Sequence, residues 1–302
     1  MQGNNLKHKQ EKRDYGEGLA LLSQPVLPLL HMVQFFFLTG SFQRVSDIIS
    51  ELPAPIETAH AEYPDPAALL HQYDDLLSEL EMLNHDEPLN YLVIDEEGKP
   101  VDRLTAISSW VAQQILTREL ERINSLLCAP CSCSLCCIGP DGEMQQEFFE
   151  IPLDSQETNR FDLPVIDSDA SRRHRAMSEP VFMVNGQPFY RISKPALVHW
   201  QTGWSLIMPR GSSCPHLDES DGRCREYPNR PQVCRRPQIF PYLLERVPEY
   251  DQRQALGRQP AYRLRQSLLA IMDCPYVRDL KDEIATYAAA GELELILTYN
   301  KG

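Results

Sequence analysis

Cysteine is the residue type whose spacing in this 302-residue chain points most directly to chemistry. The nine cysteines are Cys128, Cys131, Cys133, Cys136, Cys137, Cys214, Cys224, Cys234 and Cys274. Five of them lie within ten residues and include two Cys-x-x-Cys units, Cys128 with Cys131 and Cys133 with Cys136. In such a unit a tight turn lets both thiolates reach one ion while backbone N–H groups face the sulfurs. This density of cysteines predicts metal binding.

Ligation by thiolates alone selects zinc or an iron–sulfur cluster over magnesium, calcium or manganese. We therefore predict all nine cysteines as candidate metal ligands, of which eight or nine would hold one or two iron–sulfur clusters or a pair of four-cysteine zinc sites. Disulfide pairing is disfavoured, because the number of cysteines is odd and Cys136 is adjacent to Cys137. Burial in a hydrophobic core would explain one or two cysteines, with Cys274 the first candidate, but not the cluster.

Six arginines lie close in sequence to the downstream cysteines, and two interpretations of them stay open. They are Arg210, Arg223, Arg225, Arg230, Arg235 and Arg236. They would offset the negative charge of thiolate sites, or they would only add charge to the surface. The sequence indicates no catalytic residue, because it contains no His-Glu-x-x-His, Gly-x-Ser-x-Gly or phosphate-binding glycine motif.

The motifs around these cysteines resemble the zinc- or iron-chelating cysteine-cluster family (CxxCxxCC, or YkgJ-like). They are Cys133-x-x-Cys136-Cys137, Cys214-Pro-His216-Leu217, Gly222-Arg-Cys224-x-x-Tyr227 and Arg230-Pro-x-x-Cys234-Arg235. The resemblance covers about residues 128–240, with Cys274 as a late ligand. It implies metal binding and leaves the reaction open. The same broad family includes flagellin lysine N-methylases, which are associated with an iron–sulfur cluster.

The sequence departs from the family pattern at two points. The family leaves two residues between its first cysteine and the Cys-x-x-Cys-Cys unit, whereas one residue separates Cys131 from Cys133 and four separate Cys128 from it. Either Cys128 or Cys131, or both, would then be the family ligand. His216 stands where the family has an apolar aromatic residue, and it would fill that packing position or act as an extra ligand or proton donor.

The charge of the chain disfavours nucleic acid as a partner. The net charge is −14, and residues 51–100 contain 13 Asp or Glu and one lysine, a local net of −12. This segment would repel a phosphate backbone, and it would be either a solvated helix face or a docking surface for a protein. The most apolar run, residues 19–42, is interrupted by prolines and polar residues. We therefore predict no membrane span and a cytoplasmic location.

Hydrophobic periodicity predicts a mostly helical α+β protein with three regions. Residues 1–16 are predicted to be a disordered tail, residues 17–127 a helical region, and residues 128–302 a cysteine-cluster metal-binding domain with C-terminal helices. Helices are predicted at 67–84, 103–127, 261–272 and 276–290, and strands at 91–95, 145–153, 204–208 and 293–299. Asn185-Gly186 predicts a hairpin turn. The metal centre would staple loops of a small sheet, which couples folding to metal binding.

Three functions are compatible with these features. The first is a metal-binding protein with an accessory or redox role. The second is an iron–sulfur-dependent enzyme, such as a protein lysine N-methyltransferase. The third is a zinc-stabilised scaffold that binds a larger assembly through its acidic N-terminal half. An open coordination position would distinguish the enzyme, since a closed all-cysteine site is structural or electron-transferring.

Overall fold

The structure is a computed structural model, and it describes residues 14–85, 87–131, 133–140, 142, 144–191, 194–236, 238–247 and 259–299. Most of the predicted disordered tail, residues 1–13, lies outside the described residues. The helices are α1 (Gly16–Leu22), α2 (Leu27–Thr39), α3 (Val45–Glu51), α4 (Pro66–Leu70), α5 (Asp74–Leu77), α6 (Arg103–Cys131), α7 (Gln232–Arg235), α8 (Pro275–Asp279) and α9 (Lys281–Ala290). The strands are β1 (Ile56–Glu57), β2 (Glu62–Tyr63), β3 (Leu92–Ile94), β4 (Phe148–Leu153), β5 (Val165–Ile166), β6 (Met183–Val184), β7 (Gln187–Pro188), β8 (Ala196–Trp200), β9 (Gly203–Pro209), β10 (Leu217–Asp218), β11 (Arg223–Cys224), β12 (Ile239–Arg246), β13 (Ala261–Ile271) and β14 (Glu294–Thr298).

The N-terminal part is a set of short helices that lie against α6. The predicted helix at 67–84 is helical throughout, but 3₁₀ segments at His71–Tyr73 and Ser78–Asn84 separate and extend α4 and α5. Its apolar stripe buries Leu70, Tyr73, Leu77 and Leu80. This burial leaves Asp74 and Asp75 on the solvent side, as helical periodicity requires.

Helix α6 is the longest element and carries the chain to the first cysteines. Asp102 begins it by accepting a hydrogen bond from the Thr105 N–H at 2.9 Å. The buried members of its predicted stripe are Ile107, Val111, Ile115, Leu120, Ile123 and Leu127. The helix continues beyond the predicted end at residue 127 as far as Cys131, so that Cys128 and Cys131 both belong to its last turn.

The larger sheet lies against α6 and is built around β13. Strand β12 pairs with β13 in antiparallel fashion, and β14 and β3 both pair with β13 in parallel. The predicted strands at 91–95 and 293–299 correspond to β3 and β14. The predicted helices at 276–290 are confirmed as α8 and α9, with a break at Leu280.

The prediction of a helix at residues 261–272 is wrong, because this segment is the central strand β13. Its leucines, arginines and alanines are good helix formers, but intrinsic propensity is a weak prior that tertiary pairing overrides. Ser267, Leu268 and Ala270 are buried in the sheet. Gln266 has a φ of 49°, close to the register shift between Tyr242 and Leu244 on β12. That irregularity disturbs the two-residue alternation by which a strand is recognised from sequence.

The smaller sheet follows the first cysteines and has the order β4-β9-β8-β5. Strands β4, β9 and β8 are antiparallel neighbours, and β5 pairs with β8 in parallel. The predicted strands at 145–153 and 204–208 correspond to β4 and β9. The predicted hairpin turn is confirmed between β6 and β7, where Asn185 and Gly186 both have positive φ, at 52° and 82°.

The main hydrophobic core joins the N-terminal helices, α6, the larger sheet and the C-terminal helices, whereas each face of the smaller sheet has a core of its own. The main core thus contains residues from both sides of the predicted boundary between 127 and 128, and this division stays a prediction. Helices together with several small sheets confirm the α+β class. The predicted stapling of loops by a metal depends on where the fold places the cysteines.

One segment near the N-terminus, Gly16–Thr39, is long and apolar enough to cross a membrane by length and composition alone. This is weak evidence, because the core helices of soluble proteins meet the same criterion. The break between α1 and α2 falls within the segment, and Leu22, Val26, Leu29 and Leu30 are buried in the main core. The predicted absence of a membrane span stays a prediction.

Candidate metal centre

The last turn of α6 places the first two cysteines. Cys128 and Cys131 are three positions apart, so their side chains lie on the same side of the helix. Cys131 is only 2% exposed and belongs to the main core, while Cys128 is half-buried and packs against that core. Cys128 and Cys131 are therefore presented by the last turn of α6 rather than by a tight turn beyond the predicted end of the helix at residue 127.

A short backbone ladder brings Cys137 beside Cys214. The Cys214 N–H donates to the Cys137 carbonyl oxygen at 2.7 Å, and the Gly139 N–H donates to the Ser212 carbonyl oxygen at 2.7 Å. A Cβ atom added at Gly139 would lie 2.1 Å from the Pro209 carbonyl oxygen. Only glycine permits this close approach of the two backbones, so Gly139 sets the register that brings the two cysteines together.

Two further small elements add Cys224 and Cys234. In the β10–β11 pair Cys224 lies opposite Leu217, whose N–H donates to the Cys214 carbonyl oxygen at 3.0 Å. Cys234 lies on α7, where the Gln232 N–H donates to Glu157 Oε1 at 2.8 Å. Glu157 is itself 7% exposed, so this hydrogen bond ties α7 to the segment that follows the smaller sheet's β4.

A partly buried hydrogen-bond network connects Cys136 with the residues beside Cys274. The Tyr276 hydroxyl donates to Asn124 Oδ1 at 2.8 Å and accepts from the Gln238 N–H at 2.7 Å. The Gln238 side chain then donates from Nε2 to the Cys136 sulfur at 3.0 Å. Tyr276 follows Cys274 by two residues, so the same network connects α6, Cys136 and the start of α8.

Eight of the nine cysteines line one cavity of about 960 Å³. They are Cys128, Cys133, Cys136, Cys137, Cys214, Cys224, Cys234 and Cys274. The ninth, Cys131, lies in the adjoining core. The eight cysteines that line the cavity are free thiols. Cysteines that are more than a hundred residues apart in the chain thus line the same cavity.

Burial and crowding raise the pKa values of these thiols. Burial raises the pKa of Cys234 to about 12; nearby Cys214 acts in the same direction and Arg230 opposes it. Burial also raises the pKa of Cys137, and the neighbouring Cys214 raises it further. Hydrogen bonds with Cys131 and Cys133 raise the pKa of Cys274. Thiols in such surroundings keep their protons until a cation displaces them, which makes metal binding a proton-releasing event.

Arg230 is a buried cation that lines the cavity. It is 6% exposed, and its guanidinium carbon lies 3.7 Å from the centre of the Tyr227 ring. It donates to the Tyr227 carbonyl oxygen at 3.1 Å and to Ser125 Oγ at 3.0 Å. Its charge lowers the pKa of Cys128, against the larger effect of burial. Arg230 therefore favours the thiolate form that a metal requires.

The structure distinguishes four of the six arginines by where their side chains lie. Arg223 and Arg230 line the cavity. Arg225 and Arg236 form ion pairs with Asp218 and Glu121, at 3.4 Å and 2.7 Å. Among these four, the pair that reaches the cavity is the one placed to offset negative charge there.

His216 also lines the cavity, and its ring packs on Phe161 with 4.8 Å between centroids. Phe161 is 8% exposed and belongs to a core of the smaller sheet. This contact fits the packing role that an aromatic residue would have there. Its Nε2 atom is buried, with no hydrogen-bond partner among the described residues.

The donor set fits zinc or an iron–sulfur cluster, because thiolates are the preferred ligands of both. Among the residues that the structure describes, however, no group of three or more histidine, cysteine, aspartate or glutamate side chains is arranged to hold a metal ion. The nine predicted ligands are thus brought to one region without a preformed cage. The assignment of each as a ligand, and the stapling of loops by a metal, stay predictions.

Comparison with known proteins gives one match. Residues 127–256 match the CxxCxxCC family model, whose description is "Putative zinc- or iron-chelating domain". The matched segment contains eight of the nine cysteines and ends before Cys274. The resemblance drawn from the motifs is therefore confirmed over this segment. No curated protein matches the chain, and no solved structure does.

Sequence reasoning missed the residues that hold the cysteines in place. Asn124 was hidden within an amphipathic helix, and Tyr276 and Gln238 carried no motif. Arg230 was named as one of six arginines and as part of the motif Arg-Pro-x-x-Cys, but not as the buried cation of the site. A polar residue on the apolar face of α6 was the one available signal, since a buried amide needs hydrogen-bond partners.

Proposed function

We propose that this chain is a metal-binding protein with an accessory or redox role, and that its cysteine cluster holds zinc or an iron–sulfur cluster. The observation that carries the proposal is the convergence of eight free thiols on one cavity. The family match over residues 127–256 supports the coarser function, chelation of zinc or iron.

The residues around the cavity have roles that suit such a centre. Cys137, Cys214, Cys224 and Cys234 would supply ligands from the matched segment, while the Gln238 amide donates a hydrogen bond to the sulfur of Cys136. Hydrogen bonds to ligand sulfurs orient them and tune the centre. Bound zinc would fix the surrounding loops, whereas an iron–sulfur cluster would carry electrons.

The first experiment is a visible spectrum with iron, zinc and sulfide analysis of the full chain purified without oxygen. Brown protein with matching iron and sulfide would identify an iron–sulfur cluster, and colourless protein with stoichiometric zinc would identify a zinc site. A Cys137→Ser, Cys214→Ser double variant should lose metal, while Cys→Ser replacement leaves side-chain size nearly unchanged. Wild-type protein that contains no metal, or a double variant that retains all of it, would refute the proposal.

A second candidate, an iron–sulfur-dependent enzyme such as a protein lysine N-methyltransferase, is favoured by the size and lining of the cavity. A volume of about 960 Å³ is at the upper end of small-molecule sites and exceeds the space that thiol ligands need. Apolar Ile151 and Leu206 and acidic Asp14, Glu17 and Glu226 also line it. An apolar wall with carboxylates suits a long side chain that ends in a cation, as lysine does.

Binding of a lysine-containing peptide tests this candidate against a matched peptide with norleucine in place of lysine. The enzyme predicts tighter binding of the lysine peptide and a change in the metal spectrum when cyanide or imidazole is added, since catalysis needs an open coordination position. Equal binding of the two peptides, with a spectrum that does not respond, would leave the accessory or redox role as the better account.

Three expectations stay predictions. They are the zinc-stabilised scaffold that docks through its acidic N-terminal half, the absence of nucleic-acid binding, and the cytoplasmic location. Part of the acidic segment is engaged within the chain, since Asp75 accepts hydrogen bonds from Arg118 at 2.6 Å and 2.7 Å.

A further inference from the structure

Helix α2 and the first turn of α6 share an exposed apolar surface, called here the α2–α6 surface. Its members are Phe35, Phe36, Leu38 and Leu104, at 60%, 38%, 47% and 37% exposure. They are four of the nine large hydrophobic side chains that are exposed among the described residues. The rings of Phe35 and Phe36 contact each other, with 5.9 Å between centroids. A single exposed apolar side chain is normal, whereas several together mark an interaction site.

Two hydrogen bonds define how α2 lies against α6. The Val26 N–H, at the start of α2, donates to Glu119 Oε1 at 3.0 Å. Further along α2, Gln34 Nε2 donates to Ser108 Oγ at 2.7 Å. The later residue of α2 thus meets the earlier residue of α6, so the two helices run antiparallel. The C-terminal end of α2 therefore lies beside the N-terminal end of α6.

The exposed apolar residues lie at that shared end. Leu38 follows Gln34 by one helical turn, and Leu104 precedes Ser108 by one turn. Both leucines therefore lie beyond the same hydrogen bond, and Phe35, three positions before Leu38, shares its side of α2. At 1.5 Å per residue, this end of α6 is about 36 Å from the end that carries the first cysteines. The α2–α6 surface is thus separate from the cavity.

Carboxylates border the surface at the start of α6. Asp102 directly precedes the helix and is exposed. The hydrogen bond from the Thr105 hydroxyl lowers the pKa of Asp102, so this carboxylate is charged at neutral pH. Glu87 is also exposed, and Arg103 donates to its backbone carbonyl oxygen at 2.7 Å, which holds residue 87 beside the first turn of α6. The apolar surface therefore has an acidic rim.

The cations nearest to this rim in sequence are engaged within the chain. Arg103 donates to two backbone carbonyl oxygens, at 2.9 Å and 2.7 Å. Arg44 forms an ion pair with Asp47 at 2.8 Å, and Lys99 forms one with Glu97 at 2.6 Å. The surrounding segment 51–100 has a local net charge of −12. The rim is therefore negative on balance.

This charge distinguishes between the possible occupants of the surface. A second copy of the chain would bring the same carboxylates, and like charges across an interface disfavour association. An anionic membrane surface would be repelled for the same reason. A basic amphipathic helix has an apolar stripe that fits the leucines and phenylalanines, and lysines or arginines that fit the rim.

We infer that the α2–α6 surface docks a basic amphipathic helix of a partner protein. The large apolar side chains would be the anchors of the interface, and the carboxylates at the start of α6 would attract and orient the partner. The inference goes beyond the proposed metal-binding function, because it concerns the opposite end of α6 and requires no metal.

Two synthetic peptides test the charge and the shape of the partner. The first, of about 18 residues or five helical turns, has leucines at helical spacing and lysines on both flanks of the apolar stripe. The second has glutamate in place of every lysine. By fluorescence anisotropy with the full chain, the lysine peptide should bind at least about tenfold more tightly than the glutamate peptide, and added salt should weaken its binding.

A double variant tests the site itself. Phe35→Ser, Leu38→Ser should weaken binding of the lysine peptide at least about tenfold, because it removes two anchors of the interface. Val165→Ser, Met177→Ser is the matched control, since it removes two side chains of 57% and 82% exposure elsewhere in the chain. The control should bind as the wild type does. Both double variants should keep the wild-type midpoint in urea denaturation, because all four side chains are exposed.

Several results would overturn the inference. They are failure of the lysine peptide to bind, equal binding of the two peptides, and wild-type affinity in the Phe35→Ser, Leu38→Ser variant. A concentration-dependent dimer in sedimentation that this variant lacks would assign the surface to a second copy. Flotation of the wild type, but not of this variant, with vesicles that contain phosphatidylserine would assign it to a membrane. Either outcome would replace the partner helix.

Discussion

Asn124 is the residue whose replacement most directly tests how the fold positions the cysteines. It is 1% exposed, and its side chain makes five hydrogen bonds. Oδ1 accepts from the Tyr276 hydroxyl and from the N–H groups of Gln238 and Ile239, at 2.8, 3.1 and 3.1 Å. Nδ2 donates to the carbonyl oxygens of Arg236 and Ile239, at 3.1 and 2.6 Å.

The Asn124→Ala variant should be strongly destabilised. A net value of about 1 kcal/mol for each of the five hydrogen bonds gives a loss of about 5 kcal/mol in the free energy of unfolding. The same change removes the partner that orients Tyr276 and Gln238, whose side chains lie beside Cys274 and Cys136. Loss of such outer contacts weakens metal binding about 10- to 100-fold.

Gln113→Ala is the matched control for this variant. Gln113 lies eleven positions earlier on α6, and its Oε1 accepts from the N–H groups of Leu243 and Leu244, each at 3.0 Å. It therefore binds the same strand, β12, at a distance from the cysteines. Both variants should lose stability in urea denaturation, but only Asn124→Ala should release metal faster to a competing chelator. Equal release from the two folded variants would refute the idea that Asn124 positions the thiols.

Three other replacements have defined outcomes. Gly139→Ala should lower the free energy of unfolding, measured by urea denaturation, by about 2–3 kcal/mol and should reduce metal content, because its Cβ would lie 2.1 Å from a carbonyl oxygen. Gly142→Ala is the control and should be neutral, because its Cβ would have nothing within 4 Å. Glu119 is 4% exposed and accepts from the Tyr287 hydroxyl at 2.6 Å, and burial raises its pKa from 4.5 to about 7. The folded state therefore favours the protonated carboxyl, so stability should fall by about 3 kcal/mol as the pH rises from 4.5 to 7. Urea denaturation of Glu119→Gln should lack this component, and an identical pH dependence in both proteins would contradict the assignment. His216→Phe should keep full metal content by elemental analysis, because phenylalanine preserves the ring contact, and loss of metal would make His216 a ligand.

Elements with a regular apolar pattern were predictable from the sequence. The stripe of α6 from Ile107 to Leu127 has helical spacing, and its burial follows from that spacing. Asn185-Gly186 was recognisable because few residues adopt the positive φ of a two-residue hairpin turn. Both signals are local, which means that a short window of sequence contains all the information that fixes the structure.

Elements that depend on distant partners were not predictable in the same way. Strand β13 is stabilised by β12, β14 and β3, which lie as far away as residue 92, so its local helix propensity was misleading. The surroundings of each cysteine had no sequence signal either, since Cys136 and Cys137 are adjacent, yet the Cys136 sulfur accepts from Gln238 Nε2 and the Cys137 carbonyl oxygen accepts from the Cys214 N–H. Adjacent side chains in an irregular segment point in different directions, and only the fold decides what each one meets.

The helical register of α6 is set by local sequence, and it also determines which distant residues the first cysteines face. Asn124, Cys128 and Cys131 are separated by four and three positions, so they lie on one face of the helix. The register that buries Asn124 in its network therefore also directs Cys128 and Cys131 toward Cys274. Cys137, Cys214 and Cys224 depend instead on the short ladder between residues 137–139 and 212–214 and on the two-residue strands β10 and β11. The main core fixes Cys131 and Cys274, whereas only these short elements fix Cys137, Cys214 and Cys224. A metal bound by Cys137, Cys214 and Cys224 would therefore contribute more to local folding than one bound by Cys131 and Cys274.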